Sequence, residues 1–525
     1  MTSCHSQNNN IEVSDTTKET ITPEEDVSFL TDDSPLEILY TSARWGCGFD
    51  DTMIINFINL SSLCKEKLGF PIKFTEIPIV SSGPTNKDSF YALHISAGLS
   101  GDLIFPGGNV DTINQSNLHW GRKYIDLYLD LSPYLERFCP EAVLNFERYP
   151  QIKDNFTIDG KVYAIYAGMP NISALALMVK NDLLEAGVNI NTIKSVDALY
   201  EFMDSLYQGN EPKDNFNKIW VSGGTLLSYA TYNSDYYGYG GFLFAMNDEK
   251  LTPYFYEETE VFDYLFNKFD KFFINGYFTT DRTTPFADTI IGTGLQDIVL
   301  FPWLPGITKN LSKYTNNEKD NVFHKYSIVL FDDMKPVVYL FNTFIHVMVP
   351  ITSTQPEKAL IFMQWLMTDK DAADILTFGS QLMNINHYRF SEDGTIIPEK
   401  NNTIYTFYNL IANFSDKAFL YGKYDVIHDY KEKTYQATYP VLYQLIDSDD
   451  ERYVKFYNLV FSLKQSYNLQ ISKRNGYFRK SIDELILNPY SNLDAERMKQ
   501  GLDEIGDFES YKEIMKEAIG KSLSY

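Results

Sequence analysis

FTIDGKVYAIYAGMP (156–170), followed by LALMVKNDLLEAGV (175–188), is the stretch on which the fold turns. The first run is extended. The second is a short apolar strand, LALMV, passing directly into the helical NDLLEAGV. On its N-terminal side lies one strand–helix series. PLEILYTSARW (35–45) reads as a buried strand, and DDTMIINFINLSSLCKEKLG (50–69) carries Met53, Phe57, Leu60, Leu63 and Leu68 at helical spacing. IKFTEIPIV (72–80) is a strand, KDSFYALHISAG (87–98) a helix ended by Gly98, and GDLIFPGG (101–108) a short apolar strand. On its C-terminal side a second series begins. VDALYEFMDSLYQG (196–209) is a helix, KIWVSGG (218–224) a strand, VFDYLFNKFDKFFINGYF (261–278) a strongly amphipathic helix, and GLQDIVLFPWLPG (294–306) closes the series.

Alternation of strand and helix argues for α/β lobes, each a mostly parallel sheet flanked by helices. Two such series joined by an extended crossover predict two lobes with a cleft between them. The strand-like YSIVLFDD (326–333) and VVYLFNTFIHVMVPIT (337–352), rich in Val, Ile and Phe, read as the return. QPEKALIFMQWLMTDKDAADILTFG (355–379) is a long helical stretch with Pro356 near its start. The expected division is a tether over 1–34, lobe 1 over 35–152 with 322–352, lobe 2 over 153–321 with 353–390, and a helical extension over 391–525 packed on lobe 2.

Composition narrows the function. The chain of 525 residues carries 70 Asp and Glu against 45 Lys and Arg, a formal charge of −25. Such a surface repels phosphate backbones, so no nucleic-acid partner is expected. The 38 Tyr and 37 Phe reflect either biased composition or surfaces that stack on flat apolar faces such as sugar rings. Cys4, Cys47, Cys64 and Cys139 match no metal or redox spacing, and no metal or cofactor is expected. Nucleotide-binding glycine motifs and GxSxG are absent, and acidic pairs in so acidic a chain do not establish a glycosidase.

IDGKVYAIYAGMP with LALMVKNDLLEAGV resembles the crossover and second-lobe start of extracellular solute-binding proteins of carbohydrate ABC transporters, family 1 type. GTGLQDIVLFPWLPG (292–306) and TSTQPEKALIFMQWLMTDKDAADILTFG (352–379) resemble two further segments of that family in the same order. NINHYRFSEDGTIIPE (384–399) and the helices after it look like the C-terminal extension of some Gram-positive members. The resemblance implies a periplasmic-binding-protein-like fold of type II, a carbohydrate ligand, an oligosaccharide, captured by hinge closure and delivered to ABC transporter permease subunits, and a monomer without enzymatic activity. A glycoside hydrolase and a peptide-binding surface lipoprotein are the rival readings. MTSC resembles the stump of a lipobox ahead of a polar tether, which implies a lipid on Cys4 and a place on the extracellular face of the cell membrane.

A sugar needs aromatic platforms for its C–H faces and amides, carboxylates or guanidinium groups for its hydroxyls. At the end of the first strand, ARWGCGFDD supplies Arg44, Trp45, Asp50 and Asp51, the two aspartates serving equally well as helix caps. In the crossover Tyr166, Asn171 and Ser173 are candidates, with Tyr163 assigned to the core. SGGTLLSYATYNSDYYGYGG (222–241) puts Tyr236, Tyr237 and Tyr239 near a strand end, as a lining of the second lobe or a Tyr-rich turn. Trp303, between two prolines, stands where the resemblance implies a stacking Trp. Asn342 and His346 alternate with apolar residues in the return, His346 suiting a structural role.

Overall fold

The computed structural model describes residues 33–40, 51–76, 95–97, 101–105, 125–280 and 290–302 with a few interior positions excepted, 325–338, 346–372, 375, 388–390, 396–398, 424–441, and 459–523 with short interruptions. The first sheet is built from β1 (Leu36–Tyr40), β2 (Ile72–Glu76) and β3 (Leu103–Phe105), all parallel in the order β2-β1-β3. Helix α1 (Asp51–Leu68) makes the crossover from β1 to β2 and buries Phe57, Leu60 and Cys64, one stripe at the i, i+3, i+7 spacing of its sequence. Gly101 precedes β3 because a Cβ there would lie 2.4 Å from the Leu39 side chain.

After α2 (Leu135–Phe138) and α3 (Pro140–Arg148), a hairpin of β4 (Thr157–Ile158) and β5 (Lys161–Val162) opens the crossover into the second lobe. There β6 (Leu175–Lys180), β7 (Ile219–Trp220), β10 (Phe278–Thr279), β11 (Ile298–Pro302) and β12 (Tyr326–Leu330) form one sheet in the order β10-β7-β11-β6-β12, with β6 antiparallel to both its neighbours. Side chains alternate strictly. Leu175, Leu177, Val179, Ile298 and Leu300 enter one core, while Ala176, Met178, Val299 and Phe301 enter the other. Helices α4 (Val196–Tyr207), α5 (Gly223–Asn233) and α6 (Val261–Ile274) line the first of these cores. Both faces are covered, which is why these strands read as unbroken apolar runs. A hairpin of β8 (Tyr236–Tyr239) and β9 (Phe242–Ala245) follows α5.

Three parts of the expected layout are corrected. YSIVL (326–330), assigned to lobe 1, is β12 and pairs along its length with β6, so it belongs to the second-lobe sheet. Only the later segment returns: Met348 exchanges backbone hydrogen bonds with Ile104 (2.8 and 3.2 Å), and Val347 with Ile165 (2.8 and 2.9 Å). Helix α7 (Pro356–Thr368), assigned to lobe 2, packs on α2 and α3 of lobe 1. Its Lys358 ammonium lies over the Phe70 ring, 5.4 Å from the centroid, and Gln355 donates to Asp102. The Tyr- and Gly-rich stretch near a strand end, read as a lining or a turn, contains α5, a helix started by the Ser222 side chain, which accepts from the Thr225 N–H.

The C-terminal helices α8 (Tyr424–Tyr435), α9 (Asn468–Leu487), α10 (Ala495–Asp503) and α11 (Glu509–Leu523) complete the described chain. Helix α9 lays Phe478, Ile482, Leu485 and Ile486 into the second-lobe core. Its close approach to α5 depends on Gly223, whose N–H donates to Asp483 at 3.2 Å and where a Cβ would meet Ile482 at 3.0 Å. Arg474 pairs with Glu257, Lys512 pairs with Glu258, and both cations lie over the Phe255 ring at 4.7 and 5.2 Å.

Candidate functional site: the crossovers and the strand ends

Two crossings run between the lobes, 162–175 outward and, on the return, the described residues 330–338 and 346–347. They bridge antiparallel at both ends, at Ile165↔Val347 beside the first lobe and at Ile172↔Val338 beside the second. Crossings bridged once beside each lobe make a ribbon that can bend between its bridges, which is the geometry of a hinge. The ribbon is fixed by buried polar groups. Asn145 of α3 donates to the carbonyls of Tyr166 (2.6 Å) and Gly168 (3.1 Å). Ser173 donates its hydroxyl to the Lys335 carbonyl and accepts from the Val337 N–H at 2.8 Å. At the end of α5, Asn233 donates to the Asp333 carbonyl (3.0 Å) and accepts from the Lys335 N–H (2.8 Å), and Lys335 forms an ion pair with Asp235.

Several candidates therefore have structural roles. Tyr166 is fully buried, with its ring edge-on to Tyr149 at 5.9 Å and stacked on Phe156 at 6.4 Å; burial holds its phenol well above the ordinary range. Ser173 is 1% exposed and both its hydrogen-bonding directions serve the ribbon. Tyr237 is 1% exposed because alternation in β8 points it inward, where it stacks on Phe244 at 5.8 Å. These three are removed from the ligand set. His346 is buried beside the Phe156 ring, and Tyr163 is half-buried against the core.

Asn171 lies on the crossover, half-buried, and Tyr236 is half-buried with its ring edge-on to Tyr254 at 5.9 Å. Burial and the neighbouring Glu260 raise the Tyr236 phenol. Tyr239 is also half-buried. Asp51 is the first residue of α1. Cys4, Arg44, Trp45, Asp50, Trp303 and Asn342 lie outside the described residues. The carboxyl ends of β1, β3, β7 and β11, where ligands bind in open α/β sheets, are Tyr40, Phe105, Trp220 and Pro302. Tyr40 is half-buried against Phe57 and Phe74, and burial, then Glu76, raises its phenol.

Sequence reading missed Asn145, Tyr430 and Trp220. Asn145 was detectable as an amide inside the apolar stripe of PEAVLNFER. Trp220 ends β7 at 2% exposure, with an indole N–H that has no hydrogen-bond partner among the described residues. Among the described residues no group of three or more His, Cys, Asp or Glu could hold a metal ion. Burial pushes the thiols of Cys64 and Cys139 up to about 12, so neither is a thiolate near neutrality. No described helix is long and apolar enough to cross a membrane.

No protein-family model matches the chain, and no curated protein matches it. Solved structures do. The N-glycan transport solute binding protein NgtS from Streptococcus pneumoniae is 13% identical, with 94% of this chain and 99% of that chain covered and a TM-score of 0.52. An extracellular solute-binding protein family 1 from Alicyclobacillus acidocaldarius is 11% identical over 92% and 100%, with a TM-score of 0.49. The sugar-binding protein MalE from Xanthomonas citri is 9% identical over 92% and 98%, with a TM-score of 0.46. The first of these likenesses shows that the chain has the two-lobe fold of solute-binding proteins over nearly its full length.

Proposed function

We propose that this protein binds an extracellular carbohydrate, an oligosaccharide, by closure of its two lobes and delivers it to the permease subunits of an ABC transporter. The observation that carries the reading is the doubly bridged crossover ribbon, Ile165↔Val347 and Ile172↔Val338, within a fold shared with an N-glycan transport solute binding protein. The protein acts as a binder rather than an enzyme, as a monomer, held at the outer face of a Gram-positive cell membrane by a lipid on Cys4. The ligand set comprises Arg44, Trp45, Asp50, Asp51, Asn171, Tyr236, Trp303 and Asn342. Trp303 supplies the stacking platform of the second lobe.

A thermal-shift screen of a glycan library tests this reading. A ligand that binds only the folded state stabilises it by about 2.7 kcal/mol at a hundredfold excess over its Kd. At least one oligosaccharide should raise the melting temperature and be recovered intact. Recovery of cleaved products would favour a glycoside hydrolase. A response to peptides with none to glycans would favour the peptide-binding alternative. Trp303→Ala should weaken sugar binding about tenfold, or 1.4 kcal/mol, with the melting curve retained.

A further inference from the structure

Helix α8 touches the ribbon and both lobes. At the ribbon, the Tyr430 hydroxyl accepts from the Ile172 N–H at 2.8 Å. On the second-lobe side the attachment is backbone and charge. Val338 donates to the Thr438 carbonyl (2.9 Å), and Thr438 donates to the Pro336 carbonyl (2.8 Å) just past the helix. Lys194 pairs with Asp429 (3.1 Å) and Lys433 with Asp332 (2.8 Å). Helices α9 and α11 bind that same lobe through Arg474–Glu257 and Lys512–Glu258. Towards the first lobe the hydrogen bonding is of another kind. The Tyr149 ring stacks on Tyr435 at 5.8 Å, and the Tyr149 hydroxyl lies 2.8 Å from the Thr434 hydroxyl. Thr434 gives its own proton to the Lys431 carbonyl at 2.6 Å, so Tyr149 is the donor.

A backbone ladder keeps its register under load. A stacked pair of rings can slide at little cost, since its attraction varies gently with offset, about 0.5–1.5 kcal/mol in all. We propose that α8 is a strut that travels with the second lobe and slides on the first at Tyr149, so that this seam helps set how far and how freely the lobes rotate. The inference rests on lobe closure, as does the function proposed above, but not on the identity of any ligand.

The test therefore uses the protein without ligand. Spin labels are placed on the exposed positions Glu66 of α1 and Asp270 of α6, one in each lobe, in a Cys4→Ser, Cys47→Ser background that leaves the buried Cys64 and Cys139 in place. The inter-lobe distance distribution is then measured for the parent, Tyr149→Phe, Tyr435→Ala and Lys433→Ala. Tyr149→Phe is close to isosteric, and Tyr435 is 37% exposed, so both variants should fold, as a melting curve will show. The seam variants should broaden the distribution and move its mean, while Lys433→Ala leaves it as in the parent. Distributions for both seam variants that match the parent's would overturn the proposal by making α8 passive cladding. A shift with Lys433→Ala equal to that of the seam variants would overturn it by showing that α8 is not held on the second lobe.

Discussion

The C-terminal helices meet the rest of the protein at two seams that differ in kind. Against the second lobe, α9 buries Phe478 and Ile482 in the core, and α9 and α11 set two cations on the carboxylates of one short turn, Glu257 and Glu258. Towards the first lobe, α8 offers a ring stack and a pair of hydroxyls. A seam made of core packing and desolvated charge has one good arrangement, because any displacement leaves a cavity or an unpaired ion. A seam made of stacked rings has several of similar energy. The difference says which side of the extension is fixed and which can give.

Substitutions separate the two seams by size. Phe478→Ala removes a ring that is 3% exposed and packed on Tyr256 at 4.6 Å and Phe262 at 5.4 Å. It should cost about 3–5 kcal/mol, read from denaturant unfolding. Arg474→Met strands the Glu257 carboxylate, only 11% exposed, and should cost about 3 kcal/mol. Adding Glu257→Met should restore most of that, which a double-mutant cycle would register. At the ribbon the effects shrink. Tyr430→Phe leaves the Ile172 N–H unpaired in a buried site and should cost about 1–2 kcal/mol.

The smallest effect is a slope with pH. Burial raises the Asp333 carboxyl above its ordinary range, against the lowering effects of the Val196 N–H and the Tyr229 hydroxyl. The folded state then holds this proton more tightly than the unfolded chain. Asp333 therefore favours folding most below the ordinary carboxylate range, roughly pH 4, and that contribution declines as pH rises through the folded value. Asp333→Asn should flatten the corresponding part of the stability profile, seen as the difference between variant and parent melting temperatures across pH 3–7.

What could be read from sequence depended on whether a segment's partner was local. Helices α1, α4, α6 and α7 announce themselves by periodicity, and β1, β6, β11 and β12 by apolar runs. Helix α5 did not, because Gly223, Gly224, Ser228, Tyr229 and Tyr232 give it weak propensity and an indistinct face. It is stabilised by its Ser222 cap and by α9, more than 200 positions later in the chain. Lobe membership of 326–330 and 356–368 failed for the same reason, since strand order and helix docking are decided by contacts distant in sequence. For the candidate site, sequence offers residue types, tyrosines and amides near strand ends. Their orientation was not legible, since one step of strand alternation sends Tyr237 into the core and leaves Tyr236 half-buried.

Small-angle scattering during titration with a mixed set of oligosaccharides tests the central claim most directly. Closure of two lobes about the bridges Ile165↔Val347 and Ile172↔Val338 should lower the radius of gyration to a plateau as the binding component saturates. Saturable binding with an unchanged scattering profile would contradict closure, and no binding to any glycan in an expanded library would contradict the carbohydrate assignment itself.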